Sequence, residues 1–218
     1  IQLGVASAST NNSAAMLELS DSELNTISTT GGLTIGAANN TGAITVAGAL
    51  APTTAQNGFT LLNNTGGIAI NAPITYAAGN GNLTLTANGG GAAAGAITTS
   101  GSALDVSGTL AMNAATGVGT LSAPMVLSHA AGTTLAVTNS TSGGVFERAD
   151  VGDLNVSSIN NSAAAGGGIN LNTGTNLNIN GKVQNTAGDI QFVSGNDAAY
   201  TGTGGFGLSP ASVATGTL

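Results

Sequence analysis

The chain has no cysteine, no tryptophan and only two basic residues, and charged side chains occupy 5% of its positions, where about a quarter is ordinary. Each shortage excludes something. Without cysteine there is no disulfide framework and no thiolate zinc site. With Arg148 and Lys182 alone on the basic side and a net charge of -7, little is left to neutralise phosphates, so neither nucleic acid nor an anionic membrane surface is an expected partner. The longest apolar runs fall far short of a transmembrane span, and no membrane insertion is expected. Residues 24–104 hold no charged side chain at all, yet they keep Leu, Ile and Val in regularly spaced pairs. Disorder usually combines low hydrophobicity with high net charge, so that pattern argues for a folded chain. The sequence starts at Ile1 and shows no signal peptide, and it is expected to be a segment of a longer protein.

What is present is glycine, 35 residues of it, in a recurring phrase: Gly, one or two small polar residues, then apolar, polar, apolar. Copies include Gly32-Leu33-Thr34-Ile35, Gly42-Ala43-Ile44-Thr45-Val46, Gly58-Phe59-Thr60-Leu61, Gly67-Ile68-Ala69-Ile70, Gly108-Thr109-Leu110-Ala111-Met112 and Gly168-Ile169-Asn170-Leu171. Alternation with period two puts the aliphatic members on one face, which predicts half-buried strands of three to five residues. Asn57-Gly58, Asn80-Gly81, Asn88-Gly89 and Asn180-Gly181 read as corners, because Asn and Gly accept positive φ at low cost.

Turn chemistry alone fits hairpins equally well; the longer spacing separates the two. The strand starts Leu33, Phe59, Leu83, Leu110, Leu135, Leu154 and Leu177 are 26, 24, 27, 25, 19 and 23 residues apart. Such a period is the mark of stacked repeats. The expectation is an all-β parallel β-helix (β-solenoid) of roughly seven or eight coils, about 35 to 40 Å long at about 4.8 Å per coil. Residues 1–218 read as one continuous segment, with 1–30 an irregular first coil able to make a helical turn. Low charge fits this fold, since like charges repeated every coil would stack and repel. Aromatics are expected to be too large for most positions in so thin a core.

The stretch Leu17-Glu18-Leu19-Ser20-Asp21-Ser22-Glu23-Leu24-Asn25-Thr26-Ile27, followed by Gly31-Gly32-Leu33-Thr34-Ile35-Gly36 and Gly42-Ala43-Ile44-Thr45-Val46, resembles a phrase common in filamentous-haemagglutinin-like giant secreted exoproteins. The likeness extends from Thr116-Gly117-Val118-Gly119-Thr120 through Leu135-Ala136-Val137-Thr138-Asn139 and Val151-Gly152-Asp153-Leu154-Asn155-Val156. The resemblance implies a right-handed β-helix shaft, export to the bacterial cell surface or medium, and adhesion. It implies neighbouring repeats of the same protein as partners, and a cell-surface or glycan receptor. Fold analogy does not identify the receptor.

Few residues invite chemistry. Glu147, Arg148, Asp150 and Asp153 form a local charge cluster between two strand candidates. A solvated loop is the plain reading. The sharper alternative is a calcium loop of Glu147, Asp150 and Asp153, because hard cations prefer clustered carboxylates; paired carboxylates on a β-helix could also cleave glycosides. Glu18, Asp21 and Glu23 surround Leu19 and Leu24, with Ser20 placed to cap a helical turn and Glu23 three residues on. His129, the sole histidine, has no partner at catalytic spacing and reads as an exposed loop side chain. Residues 202–207 match G-x-G-x-x-G without the strand-turn-helix context that gives the motif meaning. Asn-x-Ser/Thr triplets at Asn11, Asn39, Asn63, Asn82, Asn139, Asn155 and Asn160 need no special cause in a chain so rich in these residues.

No catalytic constellation, metal centre or cofactor is therefore expected. The leading expectation is the structural shaft of a surface adhesin or fibre. The alternatives are a self-assembling filament or lattice subunit, whose uncapped coils would pair between copies, and a carbohydrate-binding or carbohydrate-cleaving β-helix using residues 147–153.

Overall fold

The computed structural model describes residues 1–5, 16–53, 57–77, 81–91 and 93–194, together with the backbone of 206–208. It is a β-solenoid of about six turns, built from three parallel ladders. The long ladder runs through Leu33–Gly36, Phe59–Leu62, Leu83–Thr86, Thr109–Ala114, Thr133–Asn139, Leu154–Asn161, Leu177–Ile179 and Phe206–Leu208. The second runs through Glu18–Leu19, Gln2–Leu3, Ile44–Val46, Ile68–Ile70 and Ile97–Thr99. The third runs through Ile74–Tyr76, Ala103–Val106, Met125–Leu127, Val145–Ala149, Ile169–Thr173 and Ile190–Val193. The other two ladders are shorter than the long one, which is why complete turns are fewer than the seven or eight expected.

Alternation in the sequence becomes two rows of core side chains. Leu33, Phe59, Leu83, Leu110, Leu135 and Val156 stack in register along one row. Ile35, Leu61, Leu85, Met112, Val137, Ile159 and Val183 make the next. Each fully buried aliphatic side chain contributes about 1.5 to 3 kcal/mol, and the rows join one buried cluster that runs along the solenoid. Thr34, Thr60 and Thr84 line up between these rows on the outward side. Charged strand residues register against uncharged ones: Glu18 against Gln2, Asp105 against Thr75, and Arg148 against Val126 and Asn172.

Aromatics are few in the core: Phe59 and Tyr76 are fully buried in one coil, with ring centroids 6.0 Å apart and planes tilted by 42°. Two expectations need correction. First, Leu154 stacks on Thr133, not on Leu135; strand 133–139 begins with an inward threonine that a purely apolar pattern overlooks. The apparent 19-residue step is thus a 21-residue one, with Leu135 opposite Val156 and an extra residue, Ser157, bulged between Val156 and Ser158.

Finally, Asn180-Gly181 is not a corner. It interrupts the long ladder between Leu177–Ile179 and Val183–Asn185, which pair with the two halves of strand 154–161 on either side of Ser157. A Cβ on Gly181 would lie 1.7 Å from the Ser157 carbonyl oxygen, so the bulge itself demands glycine in the coil above.

The amino-terminal end departs from simple winding. Gln2–Leu3 pairs with Thr45 and Val46 on one side and with Glu18 and Leu19 on the other, so the chain steps outward before it winds forward. A four-residue helix, Asp21–Leu24, follows. Its Leu24 is fully buried in the solenoid core, and its polar groups hold the end of the first coil. Ala51 N–H donates to Asp21 Oδ1 at 2.6 Å, and Thr53 N–H donates to Asn25 Oδ1 at 2.7 Å. The helix is a lid on that end.

Candidate functional site

The helix behaves as its sequence suggests. Glu23 N–H donates to Ser20 Oγ at 3.2 Å and Ser20 N–H donates back to Glu23 Oε2 at 2.9 Å, a reciprocal capping box. Two orphan amides of a short helix are thereby satisfied. Those hydrogen bonds hold the Glu23 carboxyl below its ordinary range. Glu18, Asp21 and Glu23 are taken up by the fold: Asp21 also accepts from Asn25 Nδ2 at 3.1 Å, and Glu18 sits on the outermost strand of the second ladder.

The 147–153 cluster is a solvated loop only in part: 150–153 is a turn with Asp150 and Val151 exposed, but Glu147 is not in it. Val145–Ala149 is a strand with burial alternating inward at 145, 147 and 149, so period two sends Glu147 into the core and Arg148 out. Glu147 is 1% exposed. Its register neighbours are Met125 in the coil before and Leu171 in the coil after, and both its carboxylate oxygens are buried without a hydrogen-bond partner among the described residues. Burial pushes its carboxyl well above the ordinary carboxylate range, because an apolar surround penalises the charged form.

The three acids proposed for a calcium loop therefore face three different surroundings. Arg148 grips Asp150 at the surface, Nε to Oδ1 at 2.6 Å and Nη2 to Oδ2 at 3.1 Å. Asp153 Oδ1 accepts from the backbone N–H and the Nδ2 of Asn176, at 3.2 and 3.0 Å. Glu147 shares neither environment, so it pairs with Asp150 neither for a cation nor for glycoside cleavage. Among the described residues no group of three His, Asp or Glu side chains is placed to hold a metal ion.

His129 is half-buried rather than free, its Nδ1 2.6 Å from Asp105 Oδ1. The two residues are 24 apart in sequence, one coil, and the coil period is the signal that would have paired them. The pair ties neighbouring coils together on the outer face.

A second set escaped the sequence reading altogether. Asn139, Asn161 and Asn185 occupy one register row at the end of the long ladder, turned inward. Asn139 Nδ2 donates to Asn161 Oδ1 at 2.9 Å, and Asn161 Nδ2 donates to Asn185 Oδ1 at 2.8 Å. Each amide also donates to the glycine-rich turn that follows it: Asn139 to Gly143 O at 3.0 Å, Asn161 to Gly167 O at 3.1 Å, and Asn185 to Gly188 O at 2.9 Å. Gly117 N–H closes the chain of bonds by donating to Asn139 Oδ1 at 2.9 Å. At a sharp corner the backbone carbonyls turn away from the ladder, and the asparagine amides supply the missing donors. The readable signal was asparagine at one-coil spacing, each followed within a few residues by glycine.

The row includes Asn139 from the Asn-x-Ser/Thr set, and Asn63 is likewise fully buried; neither is open to a glycan in the folded chain. Asn39 and Asn160 are exposed, while Asn11 lies outside the described residues. So do positions 202–205 of the glycine motif, whose last two residues fall on strand Phe206–Leu208. No helix among the described residues is long and apolar enough to cross a membrane. No protein-family model, curated protein or solved structure matches this chain.

Proposed function

We propose that this chain is a length of shaft from a bacterial surface adhesin or fibre, whose work is to extend and present rather than to catalyse. One observation carries the reading: a parallel ladder continues from Leu33–Gly36 to Phe206–Leu208, over a core of stacked aliphatic side chains. Every coil adds about 4.8 Å, so about six turns contribute a rod about 30 Å long. The outer faces carry threonine, asparagine and serine with few charges, as suits a surface exposed to water along its whole length. The likeness of residues 17–46 and 116–156 to filamentous-haemagglutinin-like exoproteins supports an extracellular setting and an adhesive parent.

The filament alternative requires open coils that pair end to end. The lid formed by Asp21–Leu24, with Leu24 in the core and Asp21 and Asn25 bonded to Ala51 and Thr53, favours the shaft over the filament at the amino-terminal end.

Electron microscopy of the full-length protein that carries this chain is the test. A thin rod of nearly constant width, lengthened in proportion when these coils are duplicated, is the expected image. Compact particles, or a length that does not change on duplication, would overturn the proposal.

A further inference from the structure

The second and third ladders meet at a seam in the middle of the solenoid. Through the parallel bridges Ile97 to Val118 and Val118 to Val145, the second ladder arrives at the start of strand Val145–Ala149. Through Met125 opposite Glu147, the third ladder arrives at the middle of the same strand. Positions 145 and 147 are thus two residues apart, while their partners 118 and 125 are seven apart. The surplus, 119–124, is thrown outward as a loop. Thr120 and Ala123 close it by exchanging backbone hydrogen bonds of 2.9 and 3.1 Å, and Leu121 at its tip is 71% exposed.

Glu147 is the first core residue past this seam. Among the described residues its carboxyl has no hydrogen-bond partner and no ion pair. Strands Met125–Leu127 and Ile169–Thr173, which flank it, carry no titratable side chain, and neither do Thr133–Asn139 and Leu154–Asn161 of the long ladder. On its own strand Arg148 points outward and is held by Asp150. In the adjoining turns His129 is held by Asp105, and Asp153 by Asn176. An ionised Glu147 has nothing to pair with unless it reaches water.

We propose that Glu147 and the 119–124 loop form a pH-set seam: with its carboxyl neutral the coil stays closed, and on losing the proton the coil parts between 118–125 and 145–149. The loop is the compliant side, since its tip stands off the surface and its hold on the ladders is at its two ends, through Val118 and the Gly119 N–H to Ile97 O bond of 2.9 Å on one side and Met125 on the other. The sign follows from proton linkage. Below the ordinary carboxyl range, both open and closed states hold the proton and opening does not depend on pH. Above about 4.5, the ordinary value, the open state releases a proton that the closed state retains. The opening constant then rises about tenfold per pH unit until the closed-state carboxyl also ionises.

Backbone hydrogen exchange, expressed as protection over the intrinsic rate from about pH 5 to about pH 8, tests this. In the natural sequence, protection should fall about tenfold per pH unit at Phe146, whose N–H donates to Val118 O at 2.9 Å, before levelling off. Protection at Ala87, whose N–H donates to Asn113 O at 2.8 Å in a neighbouring stretch, should stay level. Glu147→Leu should abolish the slope at Phe146, and Glu147→Gln, which keeps the shape without the proton, should abolish it too. The proposal fails if the natural protein shows no slope at Phe146, if Ala87 follows the same slope, or if either folded variant keeps it.

Discussion

Asn139 donates its side-chain amide to Asn161 across 2.9 Å, and Asn161 passes the same bond on to Asn185 at 2.8 Å. The relation holds three consecutive coils in step at one corner, by side chains rather than by backbone. Low surrounding dielectric strengthens such a chain of amides and makes any gap in it costly.

Replacing Asn161 by alanine should therefore destabilise the solenoid by about 2 kcal/mol. Asn139 keeps Ser142 O and Gly143 O as acceptors, but Gly167 O loses its donor inside the fold. Asn185→Ala should cost less, because Asn185 is only half-buried and water can replace it. Chemical denaturation of the two variants should give this order; equal losses would mean that Asn185 is as inaccessible to water as Asn161.

Leu24→Ala should cost about 2 to 5 kcal/mol if the helix packs as a true lid, through lost burial and the cavity left behind. The same change should loosen the covered end and raise self-association, visible in sedimentation velocity as species heavier than the natural protein forms at equal concentration. Loss of stability with unchanged association would place the role of Leu24 in packing alone.

Excision of residues 83–109 should leave a folded protein one coil shorter. Leu110 then follows Asn82 and stacks on Phe59, since Leu83 is in register with both Phe59 and Leu110. The third ladder rejoins as well, Leu127 replacing Leu104 opposite Ile74. Removing only 83–95 should unfold the chain, because it takes the strand Leu83–Thr86 out of the long ladder while leaving Ile97–Thr99 and Ala103–Val106 of the same coil in the other two, so the ladders can no longer advance in step. Circular dichroism and the cooperativity of thermal unfolding distinguish the two deletions.

Two carboxyls should titrate with opposite effects. Glu23 is held below its ordinary range by the Ser20 hydrogen bonds, so it supports the fold above that range and its support is lost as pH falls through its own lowered value. Glu147 is pushed up by burial, so stability is greatest when it is protonated and declines as pH rises. Replacing Glu147 by leucine at neutral pH removes an unpartnered buried polar group, and should raise stability by about 1 to 3 kcal/mol. Thermal melts of Glu23→Ala and Glu147→Leu across the pH range should change the acid side and the alkaline side respectively.

Much of the fold was legible in the residues. A strand such as Phe59–Leu62 is written in its alternation, and the recurrence of Leu33, Phe59, Leu83 and Leu110 at near-constant intervals follows from the need of each coil to refill the same core row. The helix cap was legible too, since Ser20 and Glu23 act over three residues. What failed was anything that depended on which way a residue faced within an irregular coil. Glu147 was grouped with Asp150 and Asp153 by nearness in sequence, yet alternation along a strand separates neighbours onto opposite faces.

The sequence by itself determined a charge-poor, glycine-punctuated stack of short strands, because period-two patterning and coil-length spacing are local properties that each repeat carries on its own. Tertiary structure alone decided the rest: the bulge at Ser157 that makes Gly181 necessary, the His129 to Asp105 pair, the inward asparagine row, the lid over the first coil, and the burial of Glu147. All of these depend on register between coils some twenty or more residues apart or on how a segment seats on the coil end, and a slip of one residue would send every one of the strand side chains among them to the other face.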